Sequence, residues 1–135
     1  MPESPVKSEG RAVSGRALIS WCLFDWANSA FPTVITTFVF AAYFTKGIAS
    51  DAVSGTALWG YAMSASALAV AVTGPVLGAV ADHAGRRKPW IFAFTVLCVL
   101  ASASLWFARP EASFVLYALV LAAVANFAFE MGVIF

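Results

Sequence analysis

The sequence predicts an all-α membrane protein with four transmembrane helices, and composition and charge placement carry that prediction. Of the 135 residues, 61% are hydrophobic and 11% are charged, which leaves too little polar surface for a water-soluble domain of this size. The charges are clustered and leave four long uncharged runs between them. A hydrocarbon core about 30 Å thick is crossed by roughly 20 helical residues. Because lipid cannot satisfy an open backbone, we expect each run to be a helix.

The four spans are placed in order along the chain, with ends good to a few residues. We assign them to residues 19–44, 55–81, 89–107 and 113–135. Residues 1–18, rich in Ser, Gly, Pro and charge, predict a disordered cytoplasmic tail. The apolar run behind this tail is much longer than the core of a signal peptide, so we expect it to be retained. Pro32 lies inside the first span, where proline either kinks or locally opens a membrane helix or serves only as a packing residue.

Orientation follows from Lys and Arg, which favour the cytoplasmic side. The tail and the second connection hold most of the basic residues, namely Lys7, Arg11, Arg16, Arg86, Arg87 and Lys88. The first and third connections hold only Lys46 and Arg109. We therefore expect both ends of the chain in the cytoplasm and these two connections outside, as in a multi-pass protein of a bacterial inner membrane.

Two glycines mark one face of the second span. Gly74, Gly78 and Asp82 are spaced at i, i+4 and i+8, which places them on one side of a helix. The small-xxx-small pattern of the two glycines lets another helix approach closely. The sequence thus predicts a helix contact that leads into Asp82.

The second connection is a charged turn. An aspartate at a helix C-terminus is disfavoured by the macrodipole, so we expect Arg86, Arg87 or the N-terminus of a neighbouring helix to stabilise Asp82. Gly85 supplies the permissive backbone of a tight reversal, and Pro89 suits the first turn of the next helix. A simpler interpretation is that the basic residues serve topology alone, which leaves the glycine face unexplained.

These residues resemble a known signature. Gly78-x-x-x-Asp82-x-x-Gly85-Arg86-Arg87 is similar to the loop between the second and third helices of major facilitator superfamily transporters. His83 departs from the pattern, because Arg or Lys usually stands there. The resemblance implies that the chain forms part of the N-terminal six-helix half of a major facilitator fold, and that Asp82 with Arg86 acts as a conformational latch.

Further stretches narrow the resemblance to one subfamily. Phe24-Asp25-Trp26-Ala27-Asn28-Ser29-Ala30-Phe31, Gly74-Pro75, Arg86-Arg87-Lys88-Pro89-Trp90, and Asn126-Phe127 with Glu130 resemble the unknown major facilitator family, which includes autophagy-related vacuolar amino-acid effluxers. Such carriers have two six-helix halves around a central cavity. The resemblance implies a secondary active transporter that moves a small polar solute, such as amino acids, by alternating access.

Two carboxylates within the spans are candidate site residues. Asp25 has Asn28 and Ser29 at i+3 and i+4, and Glu130 has Asn126 at i−4. Ionisable groups at such depth cost at least about 2.5–3.5 kcal/mol, so they usually face a cavity or a partner. One interpretation assigns them to proton coupling or to binding of a polar solute. The other has them close a cytoplasmic gate by pairing with loop arginines such as Arg86.

Other classes of protein explain less of the sequence. A dimeric four-helix multidrug exporter could use Asp25 as its membrane carboxylate, and a membrane scaffold would need only the glycine and alanine faces. An enzyme is not expected, because His83 is the only histidine and stands without a nucleophile beside it. No metal-ligand or phosphate-loop spacing occurs, so we expect no metal and no cofactor.

The remaining expectations concern partners and extent. The predicted partners are the lipid bilayer, a small polar solute, protons and the remainder of the same transporter chain, with no nucleic acid. Cys22 and Cys98 fall inside predicted helices and are expected to be small packing residues without a disulfide. The sequence stops at Phe135 inside an apolar segment without a cap or basic flank, so we expect a fragment of a longer transporter.

Overall fold

Helices make up nearly all of the described part of the chain. The computed structural model describes residues 14–85 and 87–135, and no strand occurs among them. The first stretch comprises α1 (Gly15–Phe31), a first π-helical segment (Pro32–Phe38), α2 (Val39–Tyr43) and a second π-helical segment (Phe44–Ile48). It is followed by α3 (Ala52–Ala84), α4 (Lys88–Ser104) with a 3-10 turn at Leu105–Phe107, a second 3-10 turn at Ala112–Phe114, and α5 (Val115–Ile134).

Four stretches of the described residues are long and apolar enough to cross a membrane. They are Gly15–Ile48, Ala52–Ala84, Lys88–Phe107 and Ala112–Ile134. The prediction of four apolar helices in an all-α protein is thereby confirmed. The first stretch begins four residues before the predicted span and ends four residues after it, because backbone hydrogen bonding continues past the point where the side chains cease to be apolar.

The predicted tail of residues 1–18 is only partly visible. Residues 1–13, which include Lys7 and Arg11, lie outside the described residues, as does Arg86. The last four residues of the predicted tail, 15–18, are helical and belong to α1.

The first span is not one uniform α-helix. Pro32 occupies the first position of the first π-helical segment, where its missing N–H removes one donor of the α-helical pattern. A second π-helical segment follows after only five α-helical residues. Such wider turns are rare and are found mostly as single turns inside α-helices. The expected local opening at Pro32 thus takes the form of π-helical winding.

The second span has well-defined ends. Asp51 caps α3, since its Oδ1 accepts hydrogen bonds from the backbone N–H groups of Val53 at 3.0 Å and Ser54 at 2.9 Å. At the other end Gly85 adopts a left-handed conformation with φ 62°, and its N–H donates to the carbonyl of Asp82. This conformation favours glycine because it carries no Cβ. The predicted reversal at Gly85 is confirmed.

The chain divides into two units, Met1–Ala30 and Phe31–Phe135. The second unit contains α2 to α5, which pack against one another. Within it, α5 packs against both α3 and α4. The side of α5 that is buried consists largely of alanines, Ala118, Ala122, Ala125 and Ala128. Small side chains let helix backbones approach closely where lipid gives little driving force for association.

A hydrophobic core lies at the end of the second unit that carries the first and third connections. Its buried members come from the end of the first span, the start of α3, the end of α4 and the start of α5, and comprise Phe40, Phe44, Ile48, Trp59, Leu105, Ala108, Ala118 and Ala122. Trp59 lies against the rings of Phe40 and Phe44 at centroid distances of 6.0 and 5.5 Å. At the opposite end, which carries Asp82, the half-buried rings of Trp90 and Phe94 in α4 lie against Phe135, with centroid distances of 5.6 and 5.7 Å.

Candidate functional site

The charged turn after α3 contains an ion pair. The Nη2 of Arg87 lies 2.6 Å from Oδ1 of Asp82, and Nε donates to the same oxygen at 3.0 Å. Among the partners expected for Asp82, the structure shows Arg87, whereas Arg86 lies outside the described residues. Both side chains of the pair are more than half exposed, at 61% for Arg87 and 57% for Asp82. An exposed pair is worth about 1 kcal/mol at most, so this one biases a conformation rather than holding the fold together.

The two glycines on one face of α3, Gly74 and Gly78, have different surroundings. Gly74 is buried, and a Cβ added to it would come within 3.3 Å of Cδ1 of Ile134 in α5. A Cβ added to Gly78 would meet nothing within 4 Å. The predicted close helix contact is therefore present at Gly74, while Gly78 borders an open groove of about 650 Å³ that continues to Asp82 and Arg87.

Asp25 belongs to the first unit and lies exposed on α1. Its backbone carbonyl accepts a hydrogen bond from the Ser29 hydroxyl at 3.0 Å, which is a helical back-bond rather than a contact of the carboxylate. Asn28 is half-buried. Among the residues that the structure describes, the Asp25 carboxylate makes no hydrogen bond or ion pair.

Glu130 and Asn126 do not share one environment, although they are four residues apart. The Nδ2 of Asn126 donates to Oγ of Ser66 in α3 at 3.1 Å, and Asn126 is half-buried there. Glu130 is exposed on α5, and its carboxylate has no partner within residues 14–85 and 87–135. The predicted polar face thus runs from a helix interface at Asn126 to an open surface at Glu130.

Exposed apolar side chains lie one turn beyond Glu130 and elsewhere on α5. Val133 and Ile134 are 60% and 47% exposed, and Val120 further up the helix is 51% exposed. A carboxylate on such a surface would be costly if lipid covered it. The position therefore demands water, a polar solute or a polar group from elsewhere.

Three polar contacts within the second unit were not predicted from the sequence. Ser66 is buried to 4% exposure and accepts the Asn126 hydrogen bond. The hydroxyls of Tyr43 and Tyr117 donate to the carbonyls of Ala108 at 3.1 Å and Ser104 at 2.8 Å. The two tyrosines thereby bond to carbonyls at the last residue of α4 and just beyond the 3-10 turn that follows it. A polar residue within an apolar run was the only sequence signal for Ser66.

Residues suited to metal binding or catalysis do not assemble in the described part of the chain. No group of three or more His, Cys, Asp or Glu lies close enough there to hold a metal ion. His83 is exposed, and its Nδ1 lies 3.0 Å from the backbone carbonyl of Ala79. Cys22 and Cys98 are free cysteines, the former exposed and the latter half-buried.

Comparison with known proteins gives one informative similarity. The chain is 39% identical over 95 residues to the uncharacterized MFS-type transporter YxiO of Bacillus subtilis (strain 168). The match covers 68% of this chain and 22% of that protein, so the chain spans about a fifth of its relative. No family model and no solved structure matches the chain.

The similarity and the four apolar helices support the same assignment. The match supports membership of the major facilitator superfamily, whose fold is all-helical, and the four membrane-length helices fit that fold. Together they support a multi-pass membrane protein in contact with the lipid bilayer. The subfamily of amino-acid effluxers is a finer assignment that this match does not address.

Proposed function

We propose, with membership of the major facilitator superfamily as the premise, that this chain is the N-terminal part of a secondary active transporter that moves a small polar solute. The four helices would be the first four of about twelve in the complete carrier. Such a carrier consists of two six-helix halves, and its solute site lies between the structural repeats. Amino acids are the solute class that the subfamily resemblance favours. The carrier works by alternating access, with its N-terminus in the cytoplasm of a bacterial cell.

The exposed carboxylate of Glu130 is the observation that carries this proposal. It stands on a membrane-length helix among exposed apolar side chains and has no charged partner among the described residues. An ionisable group at such a position usually faces the bundle interior or a water-filled cavity. We place the exposed side of α5 on the central cavity, closed by parts of the carrier beyond this chain.

Proton coupling follows from the chemistry of such a carboxyl group. An apolar environment within the membrane disfavours the charged form of a carboxyl group, whereas water in an open cavity favours it. A carboxyl group that alternates between these surroundings binds a proton in one state and releases it in the other. Glu130 and Asp25 are the two candidates, and we assign the coupling role to both.

The ion pair between Asp82 and Arg87 is proposed to bias the access cycle. Arg87 is the arginine seen in contact with Asp82, while Arg86, which the sequence resemblance implied for this role, lies outside the described residues. The pair is exposed and beside an open groove, so it can break without unfolding α3 or α4. A weak pair at this place shifts the populations of two states rather than locking one.

Proton flux in proteoliposomes tests the proposal. The complete gene product is reconstituted with the pH dye pyranine inside, and a mixture of the twenty proteinogenic amino acids is added outside. We expect an internal pH change from the wild type and at least about a tenfold slower change from Glu130→Gln, equivalent to about 1.4 kcal/mol in the barrier. Glu111→Gln serves as the matched control, since Glu111 is an exposed carboxylate of the third connection.

Each outcome addresses a separate part of the proposal. A wild-type protein that gives no pH change contradicts amino acids as the coupled solute. Undiminished flux in Glu130→Gln removes Glu130 from the coupling path. Equal losses in Glu130→Gln and Glu111→Gln would mean that the effect is not specific to the carboxylate within the span.

A further inference from the structure

A polar seam joins α3 to α5 within the second unit. Three contacts follow one another along it, Ser66 with Asn126, Thr73 with Met131 and Gly74 with Ile134. Residue numbers increase in the same direction on both helices, so α3 and α5 run parallel. The hydroxyl of Thr73 donates to the backbone carbonyl of Ala69 at 2.7 Å and lies 3.9 Å from the sulfur of Met131. The Ser66–Asn126 hydrogen bond is thus the directional polar contact of this seam.

The position of Ser66 makes this bond more than a packing contact. Ser66 is nearly fully buried, whereas Asn126 is half-buried. An alanine would fill almost the same space as Ser66, so close packing alone does not require a hydroxyl there. What the hydroxyl adds is an acceptor that fixes the amide plane of Asn126. A hydrogen bond between membrane helices is a recognised means of fixing side chains in this way.

Fixing Nδ2 also fixes the other half of the amide. Because the group is planar, the Oδ1 of Asn126 points away from Ser66 once Nδ2 donates to it. Within residues 14–85 and 87–135, no hydrogen bond satisfies this Oδ1. Glu130 lies four residues further on, and residues at this spacing are neighbours on a helix surface. The amide oxygen of the half-buried Asn126 and the exposed carboxyl group of Glu130 therefore lie one helical turn apart on α5.

We propose that Ser66 is a positioning residue of a solute site formed by Asn126 and Glu130, a site that takes a hydrogen-bond donor group such as an ammonium or amide N–H of the solute. This inference rests on the proposed transport function and adds the donor chemistry and the role of Ser66. Both groups of the site accept hydrogen bonds when Glu130 is ionised. Ser66 does not contact the solute; it acts by holding the Asn126 amide in the binding orientation, which lowers the cost of ordering that side chain on binding.

The test compares three serine variants of the complete gene product in the pyranine assay, at graded concentrations of the amino-acid mixture. We expect Ser66→Ala to raise the apparent KM by about threefold to tenfold, the range of one interhelical hydrogen bond, with little change in maximal rate. Ser66→Thr keeps the hydroxyl and should restore the wild-type KM. Ser64→Ala removes an exposed serine from the same helix and should leave both constants unchanged.

A purely structural role would give a different pattern. It would lower the amount of folded protein and the maximal rate while leaving the apparent KM unchanged, which overturns the proposal. An unchanged KM in Ser66→Ala beside normal wild-type flux overturns the role of Ser66 and leaves the transport function standing. Absence of flux from the wild type itself contradicts both.

Discussion

Carboxylates at the ends of the helices and carboxylates within the spans have different surroundings. Asp51 caps the start of α3 through the backbone N–H groups of Val53 and Ser54, and Asp82 near the end of the same helix is paired with Arg87. Asp25 on α1 and Glu130 on α5 are exposed, and neither carboxylate has a partner among the described residues.

The contrast separates structural from functional roles. A carboxylate at a helix end meets water and unpaired backbone groups, so a partner is available locally and its cost is small. A carboxylate within an apolar span finds no such partner on its own helix, so it is retained only where the complete protein supplies a polar environment. We therefore propose transport roles for the carboxylates within the spans, and roles in folding and conformational bias for those at the ends.

The largest effect should come from Asp25 within the first span. In the complete gene product we expect Asp25→Asn to slow proton-coupled flux by at least about tenfold, equivalent to about 1.4 kcal/mol, because an amide cannot exchange a proton at neutral pH. Cys22→Ser, a change to another exposed side chain of α1, should be neutral. Full activity of Asp25→Asn in the pyranine assay would place Asp25 with the structural carboxylates and break the comparison.

An intermediate effect is expected at Asp82. Asp82→Asn should change the population of the state in which the groove beside Asp82 is open by no more than about fivefold, since an exposed pair is worth about 1 kcal/mol or less. The measurement is the alkylation rate of a cysteine introduced by Ala79→Cys, a position on the groove, with the two native cysteines replaced by serine. The exchanged pair Asp82→Arg with Arg87→Asp should restore the rate. An unchanged rate in Asp82→Asn would mean that the pair does not bias the cycle.

The smallest effect should be that of Asp51, on stability alone. The hydrogen bonds from Ser54, first from its hydroxyl and then from its backbone N–H, lower the pKa of Asp51 below its ordinary value. A lowered pKa in the folded state gives stability that is complete above the pKa of the unfolded chain and is lost as pH falls through the folded value. We expect Asp51→Ala to have a lower thermal unfolding midpoint at pH 7, with the difference from wild type shrinking below about pH 4.

Asp51→Asn provides the matched control, because asparagine also caps helices well. It should keep most of the stability at pH 7 and show no dependence on the titration of residue 51. Flux in the pyranine assay should be normal for both variants. A loss of flux greater than the loss of folded protein would contradict a purely structural role for this carboxylate.

Local features of the fold could be predicted from the sequence because their causes are local. Uncharged runs of membrane length located the four spans, and Gly85 located the reversal after α3. The pairing of Asp82 with a loop arginine was also expected from the helix C-terminus, and the structure identifies Arg87 in that role. Residues 15–18 are helical although the sequence placed them before the first span, because helix formation extends beyond the hydrophobic run.

Apart from the helix contact at Gly74, features that depend on helix rotation could not be predicted. Apolar residues surround α3 and α5 on all sides, so their sequences do not show which side faces a neighbouring helix. The bond between Ser66 and Asn126 joins residues 60 positions apart and appears only when the rotation of both helices is known. The π-helical winding of the first span likewise depends on how the residues around Pro32 pack, which proline alone does not specify.

Water access to position 130 is the sharpest test of a transport role for Glu130, and it needs no knowledge of the solute. In the complete gene product without native cysteines, Glu130→Cys is treated with a charged, membrane-impermeant methanethiosulfonate, which reacts with thiols in water. Phe92→Cys is the control, because Phe92 is 71% exposed on α4 and, like Glu130, lies four residues from the end of its helix that is nearer the charged turn. We predict rapid modification at position 130 and little at position 92. Protection of position 130 equal to that of position 92 would mean that lipid or protein covers Glu130, and would contradict its place on a transport cavity.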